Sequence, residues 1–313
     1  MNDTENLESQ VTGRYVEVKR FAVHDGPGIR TTLFLKGCPL SCIWCHNPET
    51  ISGKPELGFH ESCCIHCGEC AKVCDCHSVS ATEHRIDRKR CTVCGKCLDA
   101  CMFGALELYG KTITPEAAAE LFLRDRMFYA ENGGATLSGG EPLLQSEFCA
   151  RLLSLLKRDA IHCAVDTSGA VPWEAFERVL SCTDLFLYDL KSIDPVRHKE
   201  FTGCDNRLIL ENLQRLDATG IPIEIRMIQV PGLNMNAEEI ARAADFLAAR
   251  KHVSAVRLLP YHALARSKYR AVGRRDTMPE AASPSYEDLE RSAAILRERG
   301  LKVVHSLELA DGK

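Results

Sequence analysis

The chain has 313 residues, with 39 Lys and Arg against 43 Asp and Glu, a net charge of −4 and 45% hydrophobic residues. That length buries one large α/β core or two modest ones, and the ordinary charge balance gives no reason to expect nucleic-acid or anionic-membrane binding. The start "MNDTENLESQ" is polar and acidic without a leader pattern, and no apolar run nears membrane-spanning length, so a cytoplasmic monomer is expected.

The first strand is read at 30–37, "RTTLFLKG", and runs straight into "GCPLSCIWCHNPET". Cys38, Cys42 and Cys45 form a C-x3-C-x2-C frame with no fourth cysteine close behind. A structural metal site usually fills every position with protein, whereas a catalytic one keeps a position open. Three thiolates can hold three irons of a [4Fe–4S] cube and leave the fourth iron free.

Thirteen of the seventeen cysteines fall between Cys38 and Cys101, at local spacings that disulfide partners cannot easily use. Clustered cysteines in a chain long enough to need no staples point to metal in a reducing compartment. Residues 54–110 interrupt the strand–helix rhythm as an insertion. They carry Cys64, Cys67, Cys70 and Cys74, then Cys91, Cys94, Cys97 and Cys101, each run spaced C-x2-C-x2-C-x3-C. That pattern is the signature of a bacterial two-cluster ferredoxin module, in which the fourth cysteine of each run reaches the other cluster. Cys64, Cys67, Cys70 and Cys101 would hold one [4Fe–4S] cluster, and Cys91, Cys94, Cys97 and Cys74 the second. A pair of zinc knuckles is the competing reading, although zinc favours separated pairs over runs of three. Asp75 and Met102 stand where proline usually follows the fourth cysteine, and Cys63 and Cys76 offer alternative ligands to the first cluster.

Further strands are read at 134–140, 161–169, 184–191, 221–232 and 253–262. Helical segments are read near 114–130, 144–159, 172–181, 207–219, 236–250 and 285–299, several opened by signals such as Thr114-Pro115. Repeated strand–helix units predict a parallel sheet with right-handed crossovers. Six units are too few for a closed eight-fold barrel, so the fold class expected is α/β, a partial (β/α)6 TIM-like barrel. It would be built from 15–53 and 111–313, with 54–110 inserted. "SGGEP", "DTSG", "DLK", "QVPG" and "LPYH" each follow a branched run, where parallel α/β folds gather their active sites. Residues 263–283, with the basic run "RSKYRAVGRRDTMP", are read as a mobile loop with a solvated face. Cys149, Cys163, Cys182 and Cys204 are read as incidental thiols.

The motifs "DGPGIRTTLFLKGCPLSCIWCHNPE", "LSGGEPLLQ", "VDTSG", "YDLKSID", "IRMIQVPGLN" and "LLPYH" together resemble the radical S-adenosylmethionine (SAM) enzymes that activate glycyl radical enzymes. The resemblance runs from about Tyr15 to near the end, and the insertion is similar to the subset serving dehydratases, decarboxylases and C–N or C–S lyases. It implies a barrel of the radical SAM type with an inserted ferredoxin-like domain. It implies three [4Fe–4S] clusters and SAM, chelated to the open iron held by Cys38, Cys42 and Cys45. Trp44, Cys45 and His46 would pack on SAM, and Gly140 would approach its amino group with backbone alone. Glu141 would order the turn. Asp189, Leu190, Lys191 and His262 match further SAM-contacting positions. Asp166 and Thr167 match a monovalent-cation site shared with Asp189, Arg226 would lie on the rim, and Asp25 would meet the substrate peptide.

The implied reaction is reductive cleavage of SAM to a 5′-deoxyadenosyl radical, which abstracts hydrogen from a glycine Cα of the partner enzyme. Reduced flavodoxin or ferredoxin would supply the electron. The competing readings are a radical SAM enzyme acting on a small molecule or another peptide, and an electron carrier without catalysis. Taken singly, Asp189 with Lys191 could be a structural ion pair, and His262 a satisfied loop histidine.

Overall fold

A computed structural model describes residues 11–305; the acidic start, residues 1–10, lies outside the described residues. The strands are β1 (Gly13–Ala22), β2 (Arg30–Leu35), β3 (Glu56–Phe59), β4 (His77–Val79), β5 (His84–Ile86), β6 (Leu106–Tyr109) and β7 (Lys111–Ile113). They continue with β8 (Gly134–Gly139), β9 (Cys163–Thr167), β10 (Leu185–Asp189), β11 (Ile223–Gln229), β12 (Val253–Pro260) and β13 (Val303–His305). Nine of them form one sheet in the order β13-β12-β11-β10-β9-β8-β2-β1-β7. From β2 to β13 every pairing is parallel, while β1 and β7 are antiparallel additions at one edge. All six strands read from sequence are present, and the sheet has two different edges, so the barrel is open.

The parallel strands are mostly buried, with apolar side chains packed beneath the covering helices. Leu33, Leu35, Leu137, Val165, Phe186, Ile225 and Val256 are buried against Phe122, Phe148, Leu152, Phe176, Leu213, Ile240 and Leu289 of the covering helices. Those helices start where local chemistry directs. The Thr114 hydroxyl accepts from Ala117 N with Pro115 in the first turn, Asn236 caps from Glu239 N, and Ser285 with Asp288 forms a reciprocal capping box.

Three features differ from the sequence reading. β1, β7 and β13 extend the sheet beyond six strands. A helix at Pro195–Thr202, capped by Asp194, follows β10. The stretch 263–283 is not a loose loop: it contains the helix Arg266–Ala271 and packs down as a strap. Tyr269 and Met278 are buried with Trp44, Phe201 and Tyr261 in a small core of their own. Three of its cations, Arg266, Lys268 and Arg274, are ion-paired, while Arg270 and Arg275 are exposed. Lys268 Nζ reaches Asn47 Oδ1 at 2.9 Å and Glu49 Oε1 at 2.7 Å, and Arg266 meets Asp276 at 2.8 Å. Tyr269→Ala is therefore expected to release the strap to trypsin at Lys268, Arg270 and Arg274 while the sheet stays folded. Limited proteolysis with unchanged far-ultraviolet circular dichroism checks this; cleavage no faster than in the parent would refute it.

Residues 54–110 are pinched at their base by antiparallel pairing of β3 with β6, and contain a second hairpin, β4 with β5. Each cysteine run opens a five-residue helix, Glu69–Val73 or Lys96–Ala100, behind a left-handed glycine, Gly68 or Gly95. The strap ties this insertion to the sheet, since Arg88 donates to Ala271 O at 2.6 Å and to Leu57 O at 2.5 Å.

Candidate active site

The loop after β2 is stitched to its surroundings by its own backbone. Gly37 N donates to Thr50 O and Cys38 N to Ile51 O on one side; Ser41 N donates to Thr202 O and Ile43 N to Phe201 O on the other. The helix at Pro195–Thr202 therefore holds the cysteine loop from behind. The turn after β8 closes beneath it, with Gly140 N on Leu35 O and Glu141 N on Gly37 O. A Cβ on Gly140 would collide with the Gly37 carbonyl and crowd Thr50 O, so only glycine permits this approach.

Glu141 is fully buried and acts as the knot between two loops. Its carboxylate accepts from Thr167 Oγ1 at 2.8 Å, Ser168 N at 2.8 Å, Ser168 Oγ at 2.6 Å and Leu143 N at 3.1 Å. Burial raises its pKa, opposed by these donors, chiefly Ser168 and Thr167.

At the carboxyl ends of the strands lies a cavity of about 490 Å³. Cys38, Cys42, Trp44, Cys45, His46, Gly140, Asp166, Asp189, Lys191, Arg226 and His262 all line it, coming from six separate loops or strand ends. Burial pushes all three thiols up, Cys45 to about 12. Thiols held this far above neutral pH become thiolates only on meeting a metal, which makes the set a fit for a cluster rather than for a free nucleophile.

Charge in the cavity is arranged in pairs. Lys191 Nζ lies 2.9 Å from Asp189 Oδ2. Burial works against the ammonium, but Asp189 and Cys42 outweigh it and hold Lys191 above its ordinary pKa. Arg226 Nη1 is 3.3 Å from Asp166 Oδ2, which also accepts from Ser138 Oγ at 2.7 Å. Burial raises Asp166 to about 6 against the pull of Arg226. His46 Nε2 sits 2.9 Å from His262 O with the two rings stacked at 4.1 Å, and burial lowers His46 to about 4, leaving it neutral. Trp44 is sealed against Phe201, and its buried indole nitrogen has no partner among the described residues.

Three of the expected residues lie outside the cavity lining. Thr167 and Leu190 have the opposite strand parity to Asp166 and Lys191. Thr167 turns its hydroxyl to Glu141, and Leu190 is in the hydrophobic core. Asp25 accepts from Thr32 Oγ1 at 3.0 Å beside the cavity, whose wall is formed there by Lys19 and His24. Sequence reasoning missed Ser138 and Ser168, which also line the cavity; alternation from Asp166 would have found Ser168.

In the insertion, Cys64, Cys67, Cys70 and Cys101 converge on a second, smaller cavity. Cys97, raised by burial to about 11, has Cys74, Cys91 and Cys94 as its electrostatic neighbours. Cys63 is exposed, and Cys76 lies beside Cys74 and Cys91 rather than near the first set. Among the unclustered thiols, Cys149, Cys163 and Cys182 are buried core residues.

Comparison with known proteins agrees with this geometry. Residues 88–247 match the radical SAM superfamily. The isethionate sulfite-lyase activating enzyme of Nitratidesulfovibrio vulgaris strain Hildenborough is 38% identical over 92% of this chain and 96% of its own. The trans-4-hydroxy-L-proline dehydratase activating enzyme of Clostridioides difficile is 39% identical over 88% and 93%. The indoleacetate decarboxylase activating enzyme of Tractidigestivibacter scatoligenes is 36% identical over 96% and 99%. Among solved structures, QueE from Escherichia coli shares the fold, with a TM-score of 0.50 and 15% identity over 97% of this chain and 99% of that one. The family implies SAM and a [4Fe–4S] cluster, and the convergent thiols and paired charges of the cavity fit both. The chain belongs to the radical SAM superfamily and, within it, to the enzymes that activate glycyl radical enzymes.

Proposed function

We propose that the chain activates a glycyl radical lyase, dehydratase or decarboxylase, and that it carries three [4Fe–4S] clusters. The observation that carries the reading is the cavity lined together by the half-buried Cys38, Cys42 and Cys45 and by Gly140, Asp189, Lys191 and His262. When bound at the triad, the cluster supplies the electron that cleaves the sulfonium of SAM, and the resulting 5′-deoxyadenosyl radical takes hydrogen from a glycine Cα of the partner.

These residues would hold SAM: the Gly140 turn would offer backbone to its amino group, Lys191 would meet its carboxylate, and the Trp44, Cys45 and His46 stretch would pack on it. The carboxylates of Asp166 and Asp189 are the groups a monovalent cation would take. Lys19 and His24 line the cavity on the side where the glycine loop would enter, with Asp25 beside them. Hydrogen transfer needs near contact between the two carbons, so the partner must thread that loop into the cavity.

Two further clusters are assigned to the insertion, one to Cys64, Cys67, Cys70 and Cys101, the other to Cys91, Cys94, Cys97 and Cys74. Support comes from the cavity lined by the first set and the mutual proximity of the second. Reduced flavodoxin or ferredoxin is the donor proposed. The clustered thiols suit the cytoplasm, and no helix among the described residues is long and apolar enough to cross a membrane.

The test mixes anaerobically reconstituted protein, SAM and a reductant with candidate lyases, dehydratases and decarboxylases. A glycyl signal by electron paramagnetic resonance, with one 5′-deoxyadenosine formed per radical, is expected with one of them. Cleavage of SAM with no protein radical on any partner would favour a small-molecule substrate. Iron near four atoms per chain instead of about twelve would reject the inserted clusters.

A further inference from the structure

Apart from the SAM cavity, the insertion brings a second group of ligating atoms together. Cys70, His77 and His84 offer atoms that all lie within 4.8 Å of one another. His84 lines the same cavity as Cys64, Cys67, Cys70 and Cys101. Its Nδ1 is 3.4 Å from Cys64 Sγ, and its Nε2 is 3.7 Å from Cys70 Sγ and 2.8 Å from His77 Nδ1.

The two cysteine runs repeat 27 residues apart, Cys64 onto Cys91 and Cys74 onto Cys101, and the backbone repeats with them. His66 and Val93 share a positive φ of 58° and 55°, and each run then enters its helix through a left-handed glycine. The same offset carries Val79 onto Leu106. Val79 is paired across its hairpin with His84, and Leu106 with Phe59. His84 and Phe59 are therefore the same position in the two halves, and their rings meet edge to face at 4.4 Å. One half of the module has an imidazole where the other has a phenyl ring.

Four thiols suffice for the four irons of a cube, so His84 is not needed as a ligand. Its distances to sulfur suit N–H···S contacts. One tautomer pattern serves the polar contacts: His77 Nδ1–H donates to His84 Nε2, and His84 Nδ1–H points at Cys64 Sγ. His77 Nε2 then carries only a lone pair, and it is the atom without a hydrogen-bond partner among the described residues. Hydrogen bonds to the sulfurs are among the factors that set a cluster's potential, because they stabilise the more negative, reduced state.

We propose that His84, oriented by His77, donates a hydrogen bond to the Cys64 sulfur. This makes the cluster of Cys64, Cys67, Cys70 and Cys101 easier to reduce than its twin, whose equivalent position is the apolar Phe59. The two inserted clusters are then inequivalent, with the His84 side as the preferred resting place of an electron. His84 is a positioning and tuning residue here, and the inference rests on the two-cluster reading of the insertion.

The test is a redox titration of the full-length, anaerobically reconstituted protein followed by electron paramagnetic resonance, with iron and sulfide counted in each sample. Wild type is expected to show two separate midpoints for the inserted clusters, with SAM added to mark the triad cluster by the change in its signal. In His84→Phe the more positive midpoint should move toward the other, at unchanged iron. His77→Phe, which leaves the cavity lining intact, should move it the same way by less. Unchanged midpoints in His84→Phe at full iron would overturn the proposal. So would an equal loss of about four irons in both variants, which would make the histidines ligands. If only His84→Phe fails to take up metal, a wild-type midpoint in His77→Phe overturns it. Wild-type iron near four would instead remove the two-cluster reading and this inference together.

Discussion

Cys42→Ala is expected to reduce SAM cleavage to background while the protein keeps about eight of about twelve irons. Two remaining thiols, Cys38 and Cys45, cannot anchor a cube against loss, whereas the inserted cysteines belong to separate cavities and lose no ligand. The substitution itself is mild, since a buried thiol becomes a methyl group, so the sheet should retain its stability. The measurements are 5′-deoxyadenosine formed under reductant, and iron with sulfide per chain. Retained cleavage, or iron unchanged from wild type, would mean that the triad is not where the reaction's cluster is held.

Most of the sheet was legible because the six parallel strands are short runs rich in branched apolar residues and several of their helices carry polar caps. What stayed hidden was hidden for physical reasons. β1 interleaves Arg14, Glu17, Lys19 and Arg20 with its apolar residues, so the strand next to the sheet edge reads as surface. β13 is only three residues long, and its register is set by β12 rather than by any pattern of its own. The helix at Pro195–Thr202 has a start signal in Asp194-Pro195, a cap followed by a first-turn proline, but at eight residues it is too short to show a clear apolar period. In the strap, basic residues suggested solvent, yet Lys268 is neutralised by Glu49, 219 residues away in sequence. No local window contains that partner. Within the site, the residue types were legible and the side-chain directions were not. Asp166 and Thr167 read as one motif, but strand alternation sends the first into the cavity and the second to Glu141. Cysteine spacing, by contrast, transferred well, because three thiols within one short loop can hardly avoid a common centre.

Glu141→Ala is expected to destabilise the fold by several kcal/mol, because it strips the shared acceptor from a set of buried neutral donors. The carboxylate is the common acceptor of Thr167 Oγ1, Ser168 N, Ser168 Oγ and Leu143 N, and no water-facing route is open to replace it, since Glu141 is fully buried. Each orphaned donor costs about 1–3 kcal/mol unless water enters the space left behind. Glu141→Gln keeps the shape but presents an amide N–H to groups that are themselves donors, so a loss between wild type and alanine is expected. The functional effect should exceed what instability alone produces. Glu141 joins the turn that carries Gly140 to the loop that carries Asp166 and Ser168, two neighbouring parts of the cavity wall at the ends of the paired strands β8 and β9. Freed from each other, those walls no longer fix the SAM amino group against the triad, and SAM affinity should fall in samples that remain folded. Thermal unfolding and SAM binding, both measured anaerobically on protein of full iron content, separate the two effects. An alanine variant that melts with wild type and binds SAM as tightly would show that the two loops hold their places without this knot.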